Sequence, residues 1–200
     1  MEQLSPRGAQ TRTRLLDAAR DALVEGEGDC AFADVALRAR VSAGAPYRYF
    51  ESKSALLVAL VERFYDALEE ECYRPSFEAQ AGDWWRGEKL RIEKLVGYFY
   101  RDALGVLIAR GLAGDGDVAR VQRERLDRQC KGAAKNIARG QKLGFVDRTL
   151  DAKATAAFLM GGIYQTLAVA LSASSPPRRK RMVELVQQFM RRVIGRSEEV

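Results

Sequence analysis

The chain has no histidine among its 200 residues. That absence excludes every catalytic triad or dyad with an imidazole base, the HExxH metalloproteases and the Cys2His2 zinc sites. Cysteine is scarce as well: Cys30, Cys72 and Cys130 lie far apart with no CxxC pair. They offer neither a zinc framework nor a disulfide scaffold, which fits a reducing compartment. No pair of carboxylates or metal-ligand cluster stands out, so neither an enzyme nor a metal or other cofactor is expected. Long apolar runs are missing too. The most apolar stretch, Ala156 to Leu171, is interrupted by Gly161, Gly162, Gln165 and Thr166, and it is shorter than the roughly 20 residues of a membrane span. The N-terminus, Met1 to Arg14, is polar and has no apolar signal region. These features predict a cytoplasmic protein that does not enter a membrane. There is no internal repeat and no low-complexity tract.

What is present is a globular composition, 47% hydrophobic and 30% charged, with a net charge of +6. Runs of β-branched residues with period 2 are absent, and apolar residues recur at i, i+3, i+4 and i+7 almost throughout. An all-α fold follows. The first helix is expected at about Thr11 to Glu25, with Leu15, Ala18, Ala19, Ala22 and Leu23 on one face and Gly26 and Gly28 ending it. A second is expected at about Phe32 to Ala39, a third at about Ala43 to Phe50, and a fourth at about Lys53 to Tyr73, with Leu56, Leu57, Leu60, Phe64 and Leu68 inward. Arg74 to Gly87 reads as a loop. Further helices are expected at about Glu88–Gly111, Asp117–Leu143, Asp151–Ala173 and Arg178–Ile194, for eight or nine in all. The expected domains are residues 8–68 and 69–196.

Helices two and three are short and joined by Arg40-Val41-Ser42. A tight turn with an apolar anchor, Val41, before a helix capped by the Ser42 hydroxyl is the pattern of a helix-turn-helix, here about residues 31–50. Such a unit lays its second helix in the major groove. Gly44 and Ala45 are small enough for close backbone approach, and Arg48 can donate twice to guanine O6 and N7. Tyr47, Tyr49 and Ser42 can reach phosphate oxygens, and Lys53 adds a point charge. Phe50 reads as core. Residues 1–53 hold 8 basic and 8 acidic side chains, so any positive footprint is local: Arg38, Arg40, Arg48 and Lys53 against Glu51.

The runs Thr11-Arg-Thr-Arg-Leu-Leu-Asp-Ala-Ala19, Val35-Ala-Leu-Arg-Ala39, Val41-Ser-Ala-Gly-Ala-Pro-Tyr-Arg-Tyr-Phe50 and Glu51-Ser-Lys-Ser-Ala-Leu-Leu57 resemble the TetR family of bacterial transcriptional regulators. The resemblance covers roughly residues 8–68. It implies an all-α homodimer whose N-terminal domain binds a two-fold symmetric operator in double-stranded DNA and whose C-terminal domain binds a small-molecule effector. By position it places phosphate contacts on Ser42, Tyr47, Tyr49 and Lys53, and base reading on Ala43, Gly44 and Arg48. Three positions depart from the family pattern. Ala31 stands where a Thr usually opens helix two, Ala43 where Lys is common, and Arg40 where the turn usually has Gly. An Arg there is strained if the turn needs positive φ.

The resemblance also implies a largely apolar effector pocket, to which the bulky residues Phe64, Leu68, Trp85, Phe99, Tyr100, Phe158 and Tyr164 are assigned. Leu159, Ile163, Thr166 and Ala170 form one face of the penultimate helix, with Gly161 and Gly162 permitting close approach. Leu185, Val186, Phe189 and Val193 form a face of the last. Two such helices from each of two chains would make an isologous four-helix interface. Arg128, Lys131, Lys135, Arg139 and Lys142 share one face of the long helix. They are either a solvated face or a site for an acidic effector such as an acyl-CoA phosphate. The cysteines read as small buried hydrophobes, with redox sensing at Cys30 as the alternative. The expected function is thus a dimeric repressor released by an effector. Its alternatives are an effector-independent regulator or activator of the same fold, and an enzyme using the helical domain as a substrate cavity.

Overall fold

The computed structural model describes residues 5–74, 76, 77, 79, 82–110, 112 and 115–195. Among them are nine helices and no strand: α1 Pro6–Glu25, α2 Phe32–Arg38, α3 Ala45–Tyr49, α4 Lys53–Cys72, α5 Trp84–Arg101, α6 Ala103–Arg110, α7 Gly116–Lys142, α8 Ala152–Leu171 and α9 Arg179–Ile194. The chain forms two compact units, residues 1–65 with 111–122, and residues 66–110 with 123–200.

In the first unit α1 starts a turn and more before Thr11, because Ser5 accepts from the Gly8 N–H at 3.2 Å and Pro6 occupies the first helical position. Leu15, Leu23, Val35, Leu56 and Leu60 are all but fully buried, each contributing roughly 1.5–3 kcal/mol of hydrophobic burial. α1 packs on α2, and α2 on α3. The unit also takes in the start of α7. Val118 and Val121 are buried there, and Asp115 accepts from the N–H groups of Asp117 and Val118. The Ser54 hydroxyl donates to Asp115 at 2.9 Å. These bonds, the Val118 N–H foremost, hold the Asp115 carboxyl below its usual pKa.

In the second unit α5 is capped by Asp83, which accepts from the Arg86 N–H at 2.8 Å. It therefore starts inside the stretch expected to be loop; residues 75, 78, 80 and 81 of that loop lie outside the described residues. The single helix expected over Glu88–Gly111 is two, α5 and α6. The break falls at Asp102, extended at φ −115°, whose carboxylate accepts from the Leu104 N–H at 3.0 Å. That local bond competes with the helical ladder, as short acidic side chains do. α5 packs against α6, α8 and α9, α6 against α8, and α8 against α9. Trp84, Phe99, Leu104, Leu167, Met182 and Ile194 fill the interior. α8 runs for 20 residues, long and apolar enough to span a bilayer by length and composition, but Ala156, Leu159, Met160, Ile163 and Leu167 are buried within the helical unit.

Candidate nucleic-acid interface and ligand cavity

The turn between α2 and α3 is a helix C-cap in full. The Arg40 N–H donates to the Leu37 carbonyl at 3.1 Å and the Val41 N–H to the Ala36 carbonyl at 3.0 Å. This pairing is the Schellman pattern, which needs a left-handed residue after the cap. That residue is Arg40, at φ +52°. The side-chain cap expected from Ser42 is not formed. α3 starts two residues later than expected, with Gly44 as its cap residue, and the Ala45 N–H donates to the Ser42 backbone carbonyl at 2.9 Å. The Ser42 hydroxyl therefore has no part in starting the helix. α2 likewise has no side-chain cap, since Ala31 precedes it.

Ser42, Ala43, Gly44, Tyr47, Arg48 and Lys53 are all exposed, and Tyr49 is half-buried. Tyr47 stands 64% exposed yet keeps one ring edge against Phe32, centroids 4.7 Å apart. Phe50 is buried as expected, with the Arg12 guanidinium 5.2 Å from its ring centre. Two of the cations counted locally are neutralised. Arg38 makes a two-pronged pair with Glu25, at 2.9 and 2.6 Å, and Lys53 pairs with Asp29. Each pairing lowers the pKa of the carboxyl involved, through the hydrogen bond first and the charge second. Sequence reasoning missed two other cations. A groove of about 500 Å³ runs between the start of α1 and α3, and its walls hold Arg7 and Arg14 as well as Arg48, Thr11, Ser42 and Tyr49. Among the described residues, three guanidiniums line this groove and no carboxylate does. The spacing of Arg7 and Arg14 along α1 was the available signal, but the late start assigned to α1 hid it.

The second unit encloses a cavity of about 360 Å³ between α5, α7, α8 and α9. Its apolar wall includes Trp84, Ile92, Leu95, Ile137, Met160 and Met190. None of the seven residues assigned to an effector pocket lines it. Phe64 and Leu68 are packed interior, and Phe99 is spent against Tyr164, ring centres 5.4 Å apart. Tyr164 donates to Gln129 at 2.6 Å, and Tyr100 donates to the Pro177 carbonyl at 2.9 Å. Trp85 sits edge-on to Trp84, and the Arg191 guanidinium lies over its ring at 5.6 Å. Phe158 points to solvent, 78% exposed. The hollow is lined by Tyr73 and Trp84 together with medium aliphatics and small residues.

The face assigned on α8 is rotated, while on α9 Leu185, Phe189 and Val193 are exposed as assigned. Leu159 and Ile163 line the cavity, and Val186 is buried. Thr166 is exposed and Ala170 half-buried. The exposed large apolar residues of α8 are Phe158 and Val169, with Gly161 and Gly162 open between them; those of α9 are Leu185, Phe189 and Val193. On the long helix, Lys135 and Arg139 of the basic face reach the cavity wall, and Lys131 is paired with Asp127 at 2.6 Å. Cys30 and Cys72 are buried and Cys130 half-buried; burial pushes the Cys72 thiol up to about 12, which leaves it inert as a nucleophile.

Residues 15–60 match the family model described as bacterial regulatory proteins, tetR family. The sequence matches no curated protein at a significant level. Among solved structures, the chain is similar to SmeT, the repressor of the Stenotrophomonas maltophilia multidrug efflux pump SmeDEF. The TM-score is 0.77 at 20% identity, over 93% of this chain and 91% of that one. It is also similar to the fatty acid degradation regulator FadR from Bacillus halodurans, with a TM-score of 0.74 at 17% identity, over 94% and 96% of the two chains. FadR from Bacillus subtilis, solved with stearoyl-CoA, gives 0.72 at 18% identity, over 89% and 96%. Residues 15–60 are thus similar to the tetR-family model, on a chain that shares the fold of these solved regulators.

Proposed function

We propose that the protein is a homodimeric transcriptional repressor that holds a two-fold symmetric operator and releases it when a small molecule enters the second unit. The observation that carries the DNA reading is the groove of Arg7, Arg14 and Arg48 beside the exposed α3, three cations with no acid in its walls among the described residues. α3 enters the major groove. Arg48 reads a base, with Ala43 and Gly44 at the DNA surface, while Ser42, Tyr47, Tyr49, Lys53 and the two α1 arginines meet phosphates.

The exposed stripes of Phe158 and Val169 on α8 and Leu185, Phe189 and Val193 on α9 support pairing of two copies through four helices. A dimer sets two recognition helices about one helical turn of DNA apart, roughly 34–36 Å. A ligand that prefers a dimer of different spacing weakens DNA binding by its differential affinity. The cavity supports this ligand-responsive reading over an effector-independent regulator, whose own side chains would fill that space. α4 is the proposed link: it begins at Lys53 and ends one residue before Tyr73, which lines the cavity.

The test is binding to DNA from upstream of the protein's own and neighbouring genes, titrated against salt and repeated with Arg48→Ala. We expect tight binding to one palindromic site, weakened by salt, with about 1–3 kcal/mol of discrimination lost at one base pair in the variant. Weak, sequence-blind binding that is indifferent to Arg48 would refute it.

A further inference from the structure

We propose that the cavity takes an apolar organic carboxylate, its hydrocarbon or aromatic body inside and its acid group at the α7 side. The proposal rests on reading this cavity as the effector site, and the polar complement of the wall carries it. Three cations, Arg91, Lys135 and Arg139, face one carboxylate, Glu88. That carboxylate is already engaged. Its Oε1 accepts from Arg91 Nε at 3.1 Å, and Arg91 is further held by the Cys72 carbonyl at 3.3 Å and lies over the Phe77 ring. Glu88 and Arg91 thus form a closed neutral pair, which leaves nothing to attract a cationic ligand.

The remaining polar groups are mainly donors. The Trp84 indole can only donate, and it donates to Asn136 Oδ1 at 3.2 Å, so the amide of Asn136, a lining residue, keeps its Nδ2 hydrogens as donors. The Tyr73 hydroxyl is buried near Tyr164 without a hydrogen bond of proper geometry. Lys135 and Arg139, four residues apart on α7, are exposed while lining the wall; their stems cover apolar surface and their charges sit at the water's edge. A ligand that complements this wall, with Lys135 at its edge, brings acceptor oxygens and a negative charge at one end of an apolar body.

Size narrows the class. About 360 Å³ lies near the lower end of ligand pockets, which run from about 300 to 1,000 Å³. A carboxylic acid of moderate size fits inside, whereas the nucleotide of a coenzyme A thioester would be left outside.

The experiment uses the full-length protein and four probes with one apolar body: 4-phenylbutyrate, 4-phenylbutanol, 4-phenylbutylamine and 4-phenylbutyryl-CoA. Affinities are read by calorimetry and by quenching of tryptophan fluorescence. We expect the acid to bind tightest, by about tenfold over the alcohol, with the amine weakest. Lys135→Glu, on an exposed position, should remove that tenfold preference and leave the alcohol unchanged. A failure of all four to bind, an amine or thioester that binds tighter than the acid, or a preference that survives Lys135→Glu overturns the proposal. Operator affinity is measured alongside. Selective acid binding without any change in operator affinity upholds the ligand class and defeats the release mechanism. Absent acid binding with intact operator recognition defeats the class alone.

Discussion

Gly140 of α7 lies flat against the indole of Trp84: a side-chain carbon placed on it would stand 2.9 Å from Trp84 Cε2 and 2.7 Å from Val146 Cγ2. The glycine is there for close approach and not for its backbone freedom. Gly140→Ala should lower stability by about 1–3 kcal/mol through overpacking. Because Trp84 is a cavity wall, its tryptophan emission should shift as well. Gly132, on the same helix and in the same wall, meets nothing within 4 Å. Gly132→Ala should therefore stabilise by about 0.5–1 kcal/mol, the helical preference of alanine. Urea titration of the two variants checks the opposite signs.

Arg125 is 8% exposed and makes ion pairs with Asp66 at 2.6 Å and Glu69 at 3.3 Å. Its partners are the more exposed members. Removing the buried charge should be mild, since Arg125→Met replaces it with apolar volume, and a change within about 1 kcal/mol is expected. The double substitution Asp66→Asn with Glu69→Gln leaves the guanidinium buried and unpaired. It should cost about 3 kcal/mol or more. Thermal and chemical denaturation of the two proteins distinguish a charge that is tolerated from one that is needed.

The left-handed Arg40 costs about 1–2 kcal/mol relative to a residue free of a Cβ, and glycine's greater freedom when unfolded offsets about half of this. Arg40→Gly should raise stability by about 0.5–1 kcal/mol. If Arg40 also meets a phosphate, the same variant binds all DNA sequences more weakly, with a salt slope shallower by about one.

Lys53 is tied to Asp29 before any DNA arrives. Asp29→Asn releases the ammonium and removes a negative charge from the same surface. Operator affinity at low salt should rise, and the slope of log K against log salt should steepen by roughly one. Sequence preference should be unchanged, because a phosphate contact reads no base.

Phe189 is 53% exposed on α9. Phe189→Glu should leave the helical content intact and shift sedimentation from dimer to monomer, since a charge in the middle of an apolar seam is left without a partner. Operator affinity should then fall to that of a single half-site.

The periodicity that made the helices legible was strongest where one side of a helix faces water. Leu15, Ala19 and Leu23 on α1 and Leu56 and Leu60 on α4 were assigned inward and are buried. Where contrast vanished, the rotation could not be read. α8 is apolar on nearly every side, so its sequence does not show that Leu159 and Ile163 face in while Phe158 and Val169 face out. The break at Asp102 carries no glycine or proline; a single carboxylate accepting from the Leu104 N–H two residues on makes it. The cavity was hidden for a different reason. Bulk marks what is buried, but a hollow is a property of the fit among helices that are distant in sequence. The cations of the DNA surface were only partly visible, because Arg38 and Lys53 find acids 13 and 24 residues away.

The unit that carries α3 is not one continuous stretch of chain. It consists of residues 1–65 and 111–122, with Val118 and Val121 in its interior and Ser54 bonded to Asp115 and Asp117. A single genetic crossover after residue 65 would join a new N-terminal stretch to an inherited Val118–Val121 patch that had never been selected against it. To exchange the first unit while keeping the second, a lineage must either carry both stretches across together or rebuild the second stretch in place. The linear order of this chain thus works against inheritance by simple domain shuffling and favours change by substitution on the exposed face of α3.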